Sequence, residues 1–73
     1  MSQSVYNVKF SSPEGHWRIT DEHGEALGKF ETKAEAALMA KQKAATRESA
    51  GESVHVTVYN EDGTVDASLD YGV

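Results

Sequence analysis

Apolar and polar residues alternate almost from the start of the chain. In Val5-Tyr6-Asn7-Val8-Lys9-Phe10 the alternation puts Tyr6, Val8 and Phe10 on one face of a strand. Ser11-Ser12-Pro13-Glu14-Gly15 then supplies the proline and glycine of a turn. His16-Trp17-Arg18-Ile19-Thr20 alternates again, with Trp17 and Ile19 inward and His16, Arg18 and Thr20 outward. After a second turn, Asp21-Glu22-His23-Gly24, the stretch from Ala26 to Glu31 reads as a short third strand. Phe30 is its core residue and Gly28 the place for a bulge. Short turns between three strands predict an antiparallel meander.

The period then changes. Thr32-Lys33-Ala34-Glu35 fits a capping box, in which the threonine hydroxyl takes an orphan amide and the glutamate reaches back. Good helix formers follow to about Glu48, and Gly51 is placed to end the helix. At 100° per residue, Ala34, Ala37, Leu38, Ala40, Ala44 and Ala45 form one broad apolar side, the expected buried face. Lys41 falls inside it and would have to snorkel from an edge. A face made mostly of alanine contributes little area, so the aromatic residues of the sheet must carry the core.

Strand alternation returns after the helix. Val54, Val56 and Val58 alternate with His55, Thr57 and Tyr59, and Asn60-Glu61-Asp62-Gly63 makes a turn. Val65, Ala67, Leu69 and Tyr71 then alternate with Thr64, Asp66, Ser68 and Asp70, so both strands are half-buried. The predicted fold is α+β: β-β-β-α-β-β, with one helix packed on one face of a five-stranded, mostly antiparallel sheet. Either the fourth or the fifth strand can lie beside the first, and the pattern does not choose between them.

A length of 73 residues with 38% hydrophobic residues makes one domain, residues 1–73, near the lower size for a single unaided core. Its ordered part is expected at about residues 5–71, with fraying ends. The chain has no cysteine, so neither a disulfide nor a thiolate zinc site contributes. No apolar run approaches the roughly 20 residues of a membrane span, and Met1 to Phe10 has no signal-peptide pattern, so a cytoplasmic location is expected. The net charge of −5 repels phosphate at long range and disfavours non-specific nucleic-acid binding. Yet the charge is unevenly spread: after Gly51 there are five acids and no Lys or Arg, whereas the helix carries Lys33, Lys41, Lys43 and Arg47.

Several residues together resemble a family of short bacterial and archaeal domains, domain of unknown function 2188. They are Tyr6-Asn7-Val8, Gly15-His16-Trp17, Phe30-Glu31-Thr32-Lys33-Ala34-Glu35-Ala36, Asp62-Gly63 and Tyr71-Gly72, in that order. The resemblance spans Tyr6 to Gly72 and implies a compact α+β domain. It carries no activity and no site residues, and the acidic hairpin departs from the more basic character of many relatives. Residues 15 to 45 also resemble the arm-binding domains of phage-type integrases, which lay a three-stranded sheet in the DNA major groove. That likeness implies Lys9, Arg18 and Lys29 as sheet contacts.

Candidate chemistry is sparse. His16, His23 and His55 have no metal-ligand spacing, although His16 and His55 share the outer face; no metal or other cofactor is expected. Asn60-Glu61-Asp62-Gly63 lacks the ligand pattern of a calcium loop. Ser11, Ser12, Ser53 and Ser68 sit in no nucleophile elbow, and the six glycines are too scattered for a phosphate loop. No catalytic residue is therefore assigned, and an enzyme is not expected. Trp17 shares a face with Ile19 and is read as core rather than as a stacking platform.

The leading expectation is a non-enzymatic protein-interaction or accessory domain. It would use its open sheet face (Arg18, His55, Thr57, Tyr59, Asp66 and Ser68) or an edge strand, and would self-associate as a homodimer or bind another protein. The alternative is a small nucleic-acid-binding module using Lys9, Arg18 and Lys29 with the helix end at Lys43 and Arg47. A third reading is an acidic nucleic-acid mimic that binds basic proteins through Glu61, Asp62, Asp66 and Asp70.

Overall fold

A computed structural model describes residues 3–12 and 14–72; Pro13 of the expected first turn lies outside these, as do Met1, Ser2 and Val73. The elements follow the predicted order: β1 (Ser4–Ser11), β2 (His16–Thr20), β3 (Ala26–Phe30), α1 (Lys33–Ser49), β4 (Val54–Tyr59) and β5 (Val65–Tyr71). They form one five-stranded mixed sheet in the order β3-β2-β1-β4-β5, and the fold is α+β.

The order left open by the pattern is settled by the pairing of β4 with β1. This contact is parallel, while the other three are antiparallel. A helix of 17 residues is about 25 Å long, enough to carry the chain back along the length of the strands. The chain therefore re-enters the sheet at the end where β1 begins. Val54, Val56 and Val58 are buried as an interior strand requires, and β5, with Asp66 and Asp70, takes the edge.

One face of this sheet is covered by α1. The core consists of Tyr6, Val8, Trp17, Ile19, Val54, Val56 and Val58 from the strands and Ala36, Ala40 and Ala44 from the helix. Trp17 lies edge-on to Phe10, with ring centroids 5.1 Å apart, and Phe30 packs at the margin. The buried helical face differs from the expected one. Ala36 lies inside, whereas Ala34, Leu38 and Ala45 face solvent, and Lys41 is exposed and needs no snorkelling. The stripe at 36, 40 and 44 lets the helix backbone approach the sheet closely. The stems of Lys33, Lys43 and Arg47, all half-buried, flank it instead of Leu38.

The helix start is capped much as the sequence predicts. The Glu35 amide donates to Thr32 Oγ1 at 3.1 Å, and the Thr32 hydroxyl donates to Glu35 Oε1 at 3.2 Å. The glutamate thus holds the hydroxyl rather than the Thr32 amide. Thr32→Ala should lower stability by about 1 kcal/mol, measured by urea unfolding; no loss would remove the cap from the account of this helix.

One further detail differs from expectation. The bulge falls beside Gly28, not at it: Ile19 faces Gly28 and Thr20 faces Ala26, which leaves Leu27 as the extra residue. Two backbone amides near the limits of the described residues are hydrogen-bonded. The Ser4 amide donates to the Ser53 carbonyl at 3.0 Å, and the Gly72 amide donates to Glu48 Oε2 at 2.7 Å. Gly72 needs to be glycine, because a Cβ there would come within 2.4 Å of the Glu52 carbonyl oxygen.

Candidate functional site on the open sheet face

The second face of the sheet carries no helix. Its side chains form rows across the strands, fixed by the register. Lys9 of β1 stands opposite Arg18 of β2, and Arg18 opposite Lys29 of β3. On the other side of Lys9 lies Tyr59 of β4, whose ring centroid is 5.3 Å from Lys9 Nζ. Three cations and an aromatic ring therefore occupy one row over four strands, about 14 Å at the usual strand spacing.

Like charges directly opposite one another on neighbouring strands are destabilising. One carboxylate offsets part of this. Glu14 accepts from Arg18 Nη2 at 3.1 Å, and Arg18 Nε donates to His16 Nε2 at 3.1 Å. The Ser11 hydroxyl bonds to Glu14, and chiefly for that reason its carboxyl is held below the usual range. Slight desolvation opposes the shift, while Arg18, His16 and Lys29 reinforce it. Glu14 therefore stays ionised at neutral pH, and its stabilising contribution is lost as pH falls through its lowered carboxyl range. Beyond Tyr59, a hollow of about 240 Å³ is lined by Lys9, Phe10, Tyr59, Asn60, Glu61 and Gly63.

A second cluster lies toward the other end of this face. Asp70 of β5 is opposite His55 of β4, and Ser68 is opposite Thr57. His55 Nδ1 is 2.6 Å from Asp70 Oδ1, and its Nε2 is 3.1 Å from Ser68 Oγ. Thr57 is only 8% exposed, so little of it is available as a contact. His16 and His55 share the face but stand at opposite ends of it, next to Ser11 and Val5 of β1 respectively.

Other residues singled out from the sequence are not on this surface. Asp66 accepts from Lys33 Nζ at 3.1 Å, at the first residue of α1 and so on the covered side. The cause is the register slip between Val58 and Tyr59, which pairs Tyr59 with Val65 and takes Asp66 out of the alternation. Lys43 and Arg47 belong to the helix and sit across the sheet from Lys9, Arg18 and Lys29. Arg47 is also engaged: it stacks 5.6 Å from the Tyr6 centroid and donates to Ser4 Oγ and Glu52 Oε1.

The acids of the third reading are dispersed as well. Asp62 accepts from the Thr64 hydroxyl at 2.6 Å and its amide at 3.0 Å, bonds that lower its carboxyl pKa. Asp66 binds Lys33 and Asp70 binds His55. Among the described residues no three metal-ligating side chains converge, and no helix is long and apolar enough to cross a membrane.

What sequence reasoning missed is the joining of Ser68, His55 and Asp70. The i, i+2 spacing of Ser68 and Asp70 places both on the outer face, but only the pairing of β4 with β5 brings His55 between them. No family model matches the chain, and neither the curated proteins nor the solved structures yield a match. The family resemblance thus rests on the residues quoted for it.

Proposed function

We propose that this chain is a small non-enzymatic interaction domain of the cytoplasm, whose helix-free sheet face docks on an acidic protein surface such as that of a second copy. The observation that carries this reading is the row Lys29-Arg18-Lys9. In a chain of net charge −5, three aligned cations with Glu14 as their close carboxylate leave positive charge that a partner's acids would offset. The helix-free face also suits broad contact with a macromolecule better than enclosure of a small substrate. A core that holds without disulfides is compatible with a reducing compartment.

Sedimentation velocity at rising protein concentration, at low and near-physiological salt, tests this reading. Self-association that weakens with salt and is lost in the double variant Arg18→Glu, Lys29→Glu is the expected result. A monomer at all concentrations in low salt would remove the second copy as partner. Crosslinking to an acidic protein that persists unchanged in the double variant would remove the row itself.

A second reading keeps the same row and changes the ligand to single-stranded nucleic acid. It is favoured by one feature, the basic track ending on the Tyr59 ring, since backbone phosphates follow cations while bases stack on aromatics. Lys43 and Arg47 have no part in it. Fluorescence anisotropy with labelled single-stranded and duplex DNA and RNA separates the two readings. Binding that falls steeply with salt and is lost in Arg18→Glu would establish the second; absence of binding at low salt would eliminate it.

A further inference from the structure

The contacts of Ser68, His55 and Asp70 lead beyond a binding role and do not depend on it. We infer that Ser68 is an activated nucleophile that accepts the acyl group of activated carboxylic esters, with His55 as its base and Asp70 as the residue that orients the base. The protonation pattern follows from the geometry. An ionised Asp70 is an acceptor only, so the short 2.6 Å contact requires a hydrogen on His55 Nδ1. A neutral imidazole protonated at Nδ1 has its lone pair at Nε2, and that nitrogen is 3.1 Å from Ser68 Oγ. The serine hydroxyl therefore donates to a base whose tautomer is already fixed. This is the hydrogen-bond order that nucleophilic serine chemistry requires.

The fold explains why these three meet. Ser68 and Asp70 are two apart on β5 and share a face, while His55 is directly opposite Asp70 and diagonal to Ser68. On its other side the register places Val5 of β1 beside His55, so Asp70 is the charged neighbour across the strands. The cluster is open to a reagent: the side chains of His55 and Asp70 are 32% and 55% exposed, and Ser68 is exposed too.

Other serines provide an internal comparison. Ser4 accepts from Arg47, Ser11 bonds to the Glu14 carboxylate and Ser53 donates to the Gly72 carbonyl. None of these partners is an imidazole, the better base at neutral pH.

In the reaction, Ser68 Oγ attacks the ester carbonyl carbon and its proton passes to His55 Nε2. The new Oγ–C bond forms as the bond to the leaving alkoxide or phenolate breaks, and the proton leaves with that group or to solvent. The product is an ester on Ser68. With the developing oxyanion facing water, the acceleration comes from the base alone, about a hundredfold, at the low end of such contributions. The expected activity is single acylation rather than rapid turnover.

The test is para-nitrophenyl acetate at neutral pH, with the rate of acetylation at each residue followed by peptide mass spectrometry. The expected result is acetylation of Ser68 ahead of Ser11 and Ser53, and loss of it in Ser68→Ala. Its rate should fall about a hundredfold in His55→Gln, which keeps a polar residue on the strand. Asp70→Asn should lower the rate in the same direction by releasing the tautomer. Circular dichroism of each variant confirms that the sheet is retained, and a variant that fails this check is replaced by His55→Asn or Asp70→Ser. Modification confined to lysines and the terminal amine, or a Ser68 rate unchanged in the His55 variant, would overturn the inference.

Discussion

Trp17→Ala should leave this domain unfolded or close to it. Trp17 is 6% exposed, stands between Phe10 and Phe30 in the register, and meets the Phe10 ring edge-on at 5.1 Å. Truncating a buried tryptophan costs about 3–5 kcal/mol in lost transfer energy and residual cavity. At roughly 0.05–0.15 kcal/mol per residue, a chain of 73 residues has about 4–11 kcal/mol to lose. The helical side of the core is alanine, so no large side chain can move in to fill the space. Urea unfolding followed by circular dichroism should show a midpoint lowered by about 2 M or more, or no folded baseline at all. A loss below about 1 kcal/mol would mean that Trp17 is not the centre of the core.

Ala40→Leu should be the most damaging change on the helix, although leucine is an excellent helix former. Ala40 is fully buried at the middle of the stripe formed with Ala36 and Ala44, where the helix lies against the strands. A larger side chain there must lift the helix or force its neighbours off their rotamers, at about 1–3 kcal/mol. Leu38→Ala is the matched control: Leu38 is 59% exposed, and its loss should stay within about 0.5 kcal/mol. The reverse pattern, with Leu38→Ala costly and Ala40→Leu tolerated, would show the helix turned to the face that its composition favours.

That contrast explains how far the sequence could be read. β1, β2 and β4 were legible because their period-two alternation is unbroken: Tyr6, Val8, Trp17, Ile19, Val54, Val56 and Val58 are all buried. The helix was legible at both ends for local reasons, the Thr32 cap and the stop at Gly51, whose φ of +86° suits glycine. Its buried face was not. Counting apolar residues favours Leu38, but the gap between helix and sheet admits only a line of alanines, and that gap belongs to the packed structure.

The surface divides in the same way. The sequence identified the outward residues of β1, β2 and β4, because a side chain two positions from an outward one is also outward. Only register aligned Lys9, Arg18 and Lys29 in one row, removed Asp66 to Lys33 through the slip at Tyr59, and set His55 between Ser68 and Asp70.

The sequence by itself determined the succession of elements, the inward faces of β1, β2 and β4 and the limits of the helix, all of which follow from interactions within a few residues. The tertiary structure alone decided that β4 joins β1 in parallel, which helical stripe is buried and which polar groups meet. Those outcomes depend on contacts between residues far apart in the chain, whose energies are set by shape and distance after the elements have packed.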